Sequence, residues 1–134
     1  MSDRFFDVSA YPYAHRGLWG GARPENSIAA FEAARTAGVG VELDVRLTAD
    51  GVPVVFHDAG LERMCGHREL LARVASAELA GHQLPDGSQI PTLAQALAIM
   101  GDLPVLIELK VDGAGGEIAD RVASAIEGLA GLYG

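Results

Sequence analysis

A parallel α/β fold follows from two features of this sequence: strand-like apolar segments alternate with segments of helical period, and the strand-like ones turn charged at their ends. His15-Arg16, Glu42-Leu43-Asp44, His57-Asp58 and Glu108-Leu109-Lys110 all lie where strand signal gives way to loop. A parallel α/β fold assembles its site at such ends.

Size and charge bound the rest. With 134 residues and 49% hydrophobic content, the chain suffices for one ordinary domain with its own core. Ten Lys+Arg stand against eighteen Asp+Glu, a formal net charge of −8. That balance gives no basic footprint for nucleic acid or an anionic membrane. An anionic substrate must be attracted locally, by a metal and a few basic groups. The single cysteine, Cys65, excludes an internal disulfide and fits a reducing compartment. Met1 to Ala14 has no apolar h-region and no segment reaches the length of a membrane span, so the expectation is a cytoplasmic protein without a stable membrane anchor.

Tyr11 to Arg16 reads as a first strand, followed by a Gly-rich loop, Gly17 to Arg23. Pro24-Glu25-Asn26-Ser27 opens a helix with Asn26 or Ser27 as N-cap, Ile28, Phe31, Ala34 and Arg35 at helical spacing, and Gly38 closing it. Val39 to Leu47 alternates, with Val41, Leu43 and Val45 on one face and Glu42, Asp44 and Arg46 on the other. Asp50-Gly51 signals a hairpin into the apolar run Val52 to Phe56. A turn centred on that pair sets Asp44 opposite His57, with Cβ atoms roughly 5 Å apart.

Gly60 to Gln89 is the least regular stretch, a long excursion over one face with a helical patch near Ala77 to Ala80. Thr92-Leu93-Ala94-Gln95 has the capping-box spacing and predicts a helix from Thr92 to Met100. Val105 to Lys110 is a buried strand, and Glu117 to Leu129 a final amphipathic helix.

Glu42 and Asp44 share a strand face, where two carboxylates repel unless a cation lies between them. Glu108 ends another apolar strand and belongs at the same sheet end. Three oxygen ligands without Cys favour Mg2+ or Ca2+. His15 and His57 supply the acid and the base that phosphodiester cleavage needs. Arg16 and Lys110 suit phosphate oxygens, Arg through a bidentate fork and Lys as a point charge. The plainer alternatives are a solvated strand face, structural histidines, and ion pairs of Arg16 and Lys110 with nearby carboxylates. His67, His82 and Cys65 lie in the irregular stretch without ligand spacing and receive no role. Trp19 and Gly20-Gly21 suit a pocket mouth.

Taken in order, His15-Arg16-Gly17, Pro24-Glu25-Asn26-Ser27, Glu42-Leu43-Asp44, Asp50-Gly51 leading to His57-Asp58, Ile90-Pro91-Thr92-Leu93 and Glu108-Leu109-Lys110 resemble the glycerophosphodiester phosphodiesterases across residues 14 to 110. The resemblance implies a TIM (β/α)8 barrel and hydrolysis of small glycerophosphodiesters to glycerol 3-phosphate and an alcohol, a step of lipid metabolism, with one divalent cation, Mg2+ or Ca2+. It implies Glu42, Asp44 and Glu108 as metal ligands and His15 and His57 as the acid/base pair. Arg16 and Lys110 resemble phosphate-contacting residues and Glu25 and Asn26 pocket-shaping ones, so that all four are expected to bind substrate.

A complete barrel takes about 250 residues. The expectation for residues 1–134 is therefore a partial barrel, its first three barrel strands plus a hairpin, forming the N-terminal portion of one domain. Such an open sheet invites self-association. Two rival readings stand: a phospholipase-like relative with the same site, and a truncated chain that binds metal or phosphate without turnover.

Overall fold

The structure, a computed structural model, describes residues 13–111 and 116–127. Tyr11 and Pro12 of the expected first strand, the lead before them, and Leu129 of the expected last helix lie outside the described residues.

Four strands form one sheet around its longest member. β2 (Gly40–Leu47) has β1 (Tyr13–His15) parallel along its first half and β3 (Pro53–Val55) antiparallel along its second, on one edge. β4 (Val105–Leu109) runs parallel on the other edge. Backbone bonds show how one strand serves three: the Glu42 and Asp44 carbonyls accept from Arg16 and Phe56, while the Val45 carbonyl, on the opposite edge, accepts from Lys110. The result is an open α/β sheet.

Local signals account for the helices that cover it. α1 (Ile28–Ala37) starts at Ser27, whose hydroxyl accepts from the Ala30 N–H at 3.1 Å, and ends at Gly38 in the left-handed conformation at φ 72°. α3 (Leu93–Met100) carries the capping box reciprocally between Thr92 and Gln95, at 3.1 and 2.9 Å. α4 (Gly116–Ile126) places Ile118 and Val122 inward, one turn apart. These helices bury Phe31, Ala34, Leu93, Leu97 and Met100 against Val41, Leu43 and Val45 of β2. The charged face of β2 is left for the other side of the sheet.

The hairpin differs from the expected one. Thr48 N–H donates to Val52 O, Gly51 N–H donates to Thr48 O, and Gly51 has φ 80°, so the loop is Ala49-Asp50-Gly51 rather than a two-residue turn. The ladder pairs Val45 with Val55 and Arg46 with Val54. Phe56, not His57, therefore faces Asp44, and its N–H donates to Asp44 O at 2.9 Å. The antiparallel return holds; its register is shifted by one residue.

Gly60 to Gln89 is also more organised than expected. It contains a short helix, α2 (Glu62–Cys65), and two 3-10 turns, Leu71–Arg73 and Leu79–Gly81. Leu61, Leu71, Val74, Leu79 and Leu84 bury there with Val54 and Phe56 as a second core. Because Val54 and Phe56 share the face of Arg46 and Asp44, this core roofs the polar side of the sheet at the hairpin end. No described helix is long and apolar enough to cross a membrane.

Candidate active site

β1 ends at His15, and the chain leaves the sheet through two residues of positive φ, Arg16 at 59° and Gly17 at 80°. Gly17 is required twice over. A Cβ there would meet the Ala30 Cβ at 2.8 Å, and its backbone is left-handed. Asn26, at φ 53°, is the second left-handed non-glycine residue among the described residues, and its N–H donates to Arg16 O at 2.9 Å. This clamp fixes both sides of the first βα loop beside Glu42 and Asp44 of β2. Strained residues held by their surroundings cluster at functional sites.

Sheet register then sorts the charged side chains into layers. His15 pairs with Glu42, and Asp44 with Glu108, so all four project from one face. The ligand atoms of Glu42, Asp44 and Glu108 lie within 4.8 Å of one another. Asp44 is fully buried, Glu42 half-buried and Glu108 exposed. Asn26 Nδ2 donates to Asp44 Oδ2 at 3.0 Å, while Arg16 Nε lies 3.6 Å from the same oxygen. Lys110 Nζ donates to Glu108 Oε1 at 2.8 Å and lies 3.7 Å from Asp44 Oδ1.

Two buried oxygens, Glu42 Oε1 and Asp44 Oδ1, have no hydrogen-bond partner. Burial, and after it the negative charge of Asp44, pushes the Glu42 carboxyl up to about 7. Glu108 is held below the ordinary carboxylate range by its hydrogen bond from Lys110, which in turn raises Lys110. Three converging carboxylates, two of them with an orphaned oxygen, fit a hard divalent cation, which would satisfy both oxygens and relieve the repulsion.

The two histidines are held differently. His15 Nε2 lies 3.5 Å from Glu42 Oε2, and its side chain is 67% exposed. His57 follows the hairpin, its carbonyl accepting from Arg46 Nε at 2.9 Å and its Nδ1 lying 2.7 Å from Asp58 Oδ1. The hydrogen bond and charge of Arg63 hold the Asp58 carboxyl down to about 2, His57 adding to the effect, so Asp58 is a carboxylate that can only accept. In the neutral ring Nδ1 of His57 therefore carries the proton and Nε2 the lone pair.

Arg63 is the residue that sequence reasoning missed. From α2 it donates through Nε and Nη2 to Asp58 at 2.7 and 3.1 Å, and through Nη1 to Glu25 Oε1 at 2.7 Å. Arg16 Nη1 donates to the other Glu25 oxygen at 2.8 Å. Burial raises Glu25, but the hydrogen bonds and charges of Arg63 and then Arg16 outweigh it and leave the carboxyl below its usual range. A continuous line thus runs from Asp44 through Arg16, Glu25, Arg63 and Asp58 to His57. Only the proximity of Arg63 to His57-Asp58 hinted at it, since Glu25 lies 38 residues away. Beside this line, Trp19, Gly20, Gly21, Arg63 and Met64 border an open cleft of about 620 Å3, the expected pocket mouth.

A sequence profile described as the "Glycerophosphoryl diester phosphodiesterase family" matches residues 15–123. The chain is 37% identical over 102 residues to a probable glycerophosphodiester phosphodiesterase 2 of Mycobacterium tuberculosis, which covers 75% of this chain and 39% of that protein. It is 36% identical over 106 residues to a glycerophosphodiester phosphodiesterase of Caldanaerobacter subterraneus, covering 73% and 43%. Among solved structures, an Oleispira antarctica phosphodiesterase in complex with the product sn-glycerol-3-phosphate superposes with a TM-score of 0.76 at 32% identity, over 93% of this chain and 57% of that one. A Thermotoga maritima glycerophosphodiester phosphodiesterase gives 0.74 at 35%, over 90% and 51%. The chain thus spans less than half the length of these curated relatives.

Proposed function

Because this chain belongs to the glycerophosphoryl diester phosphodiesterase family, we propose that it supplies the catalytic wall of a hydrolase that cleaves small glycerophosphodiesters to glycerol 3-phosphate and an alcohol. The observation that carries the reading is the convergence of Glu42, Asp44 and Glu108 beside His15, Arg16 and Lys110. In this reading residues 1–134 form the N-terminal portion of a (β/α)8 barrel, with β1, β2 and β4 as its first three strands.

Glu42, Asp44 and Glu108 would hold the divalent cation, Mg2+ or Ca2+, which when bound supplies charge neutralisation and polarises a phosphoryl oxygen. Asn26 keeps Asp44 aimed at the site through its 3.0 Å bond. Arg16 and Lys110, already shared among these carboxylates, turn their remaining N–H groups toward the phosphate and stabilise charge that builds on its oxygens. Glu25, expected to bind substrate, has one oxygen on Arg16 and the other on Arg63, and acts by orienting Arg16.

In its neutral form His57, with the lone pair on Nε2, accepts the proton of the attacking hydroxyl, from water or from the substrate's own glycerol, as that oxygen bonds to phosphorus. Asp58 stabilises the imidazolium that results. His15, exposed at the end of β1, protonates the departing alkoxide. The cleft beside Trp19 accommodates the alcohol.

The test is release of glycerol 3-phosphate from glycerophosphocholine by the full gene product, with and without EDTA. Activity should vanish on chelation and return with Mg2+ or Ca2+. Turnover that is insensitive to EDTA, or confined to membrane phospholipids, would overturn the proposal.

A further inference from the structure

A second group of histidine and carboxylate side chains, sharing no residue with the active site, lies in the segment that roofs the sheet. α2 closes at Gly66 with φ 75°, and His67 and Glu69 follow it; His82 follows the 3-10 turn Leu79–Gly81. One ligand atom from each of His67, Glu69 and His82 lies within 4.8 Å of the others. The two imidazoles sit edge to face, with ring centroids 4.5 Å apart and planes at 64°.

His82 is arranged as a ligand. Its Nδ1 lies 3.2 Å from the Glu78 carbonyl, which can only accept, so Nδ1 donates and the lone pair resides on Nε2. A backbone carbonyl that fixes the tautomer in this way is the usual support of a metal-bound histidine. Nε2 is aimed toward Glu69 Oε1 at 3.8 Å, too far for a hydrogen bond. Two ligands of a tetrahedral ion with bonds near 2.0 Å stand roughly 3.3 Å apart, so this gap suits an intervening ion after a small adjustment. Backbone bonds hold the segment in place: Leu61 N–H donates to Glu69 O, and Leu71 N–H donates to Ala59 O, both at 2.9 Å.

We propose that His67, Glu69 and His82 form a surface site for a borderline divalent cation, Zn2+ in the first instance, that clips together the two ends of the 67–82 stretch. Donor chemistry separates it from the active site. Two imidazoles and one carboxylate favour Zn2+, whereas the all-oxygen set at Glu42, Asp44 and Glu108 favours hard ions. The remaining coordination positions face solvent and take water.

Calorimetric titration of Zn2+ into the tag-free chain, in millimolar Mg2+, tests the site. His67→Ala, an exposed substitution, should weaken one Zn2+ equivalent at least tenfold, with Glu69→Gln weakening the same equivalent. Glu108→Gln and Cys65→Ser should keep it. Zn2+ should also raise the melting temperature of the parent chain and not that of His67→Ala. An unchanged Zn2+ equivalent in His67→Ala, equal melting shifts in both proteins, or loss of the equivalent in Glu108→Gln or Cys65→Ser alone would overturn the site.

Discussion

Arg63 holds Glu25 with one nitrogen and Asp58 with two others, so its replacement loosens both partners at once. Arg63→Lys cannot reproduce the fork. We expect kcat to fall about 10- to 100-fold, the usual effect of losing a partner that orients a site residue. KM should change much less, and the pH profile should move as His57 loses its fixed orientation; an unaltered profile would argue for a structural role only. Asp58 carries a further consequence. Its folded pKa, about 2, lies below the ordinary value of about 3.9. Its contribution to stability is therefore fully present above about pH 4 and is lost as pH falls through about 2. Urea midpoints of the parent and Asp58→Asn should differ more at pH 6 than at pH 2.5. Identical gaps at both pH values would count against this linkage. At this scale, the shared face of Glu42 and Asp44 was legible in the sequence because alternation fixes it, although both lie inside β2 (Gly40–Leu47) and not at the strand end expected for them. Arg63 was not legible, because its two partners meet it only through tertiary packing.

Each element whose ends carry their own chemistry matched its reading: α1 with Ser27 and Gly38, α3 with Thr92 and Gln95, and β4 with its charged end. The hairpin register failed for a local reason. An Asp-Gly pair fits both a two-residue turn and the last two positions of a three-residue loop, and only the hydrogen bonds of Thr48 distinguish them. The second core was equally hidden, since Leu61, Leu71, Val74, Leu79 and Leu84 follow neither a helical nor a strand period. The β1–α1 loop offers a strict test of how an element positions the site. Gly17→Ala meets both a left-handed backbone, costing about 1 to 3 kcal/mol, and the Ala30 contact at 2.8 Å. We expect a loss of at least about 2 kcal/mol by denaturant unfolding, together with reduced activity as Arg16 shifts. A near-neutral substitution would show that this loop relaxes freely.

For the whole molecule, the open sheet governs behaviour in solution. Among the described residues, β1 and β4 each pair only with β2, which leaves their outer edges unpaired. Trp19 and Val111 expose 53% and 52% of their surface. Unpaired edges and apolar surface favour association, and a few hundred Å2 left in water at roughly 25 cal/mol per Å2 amounts to several kcal/mol. The 134-residue chain alone is therefore expected to self-associate or to turn over substrate poorly; light scattering that gives a 14.0 kDa monomer with full activity would refute this. The three-residue loop at Ala49-Asp50-Gly51 also has a consequence for how such a molecule can vary. Surface loops ordinarily absorb insertions and deletions at little cost. Here a single residue gained or lost would reverse the strand that follows, turning Phe56 out of the second core and redirecting His57. Length change in this lineage should therefore be absent from this short loop, exposed though its Ala49 and Asp50 are.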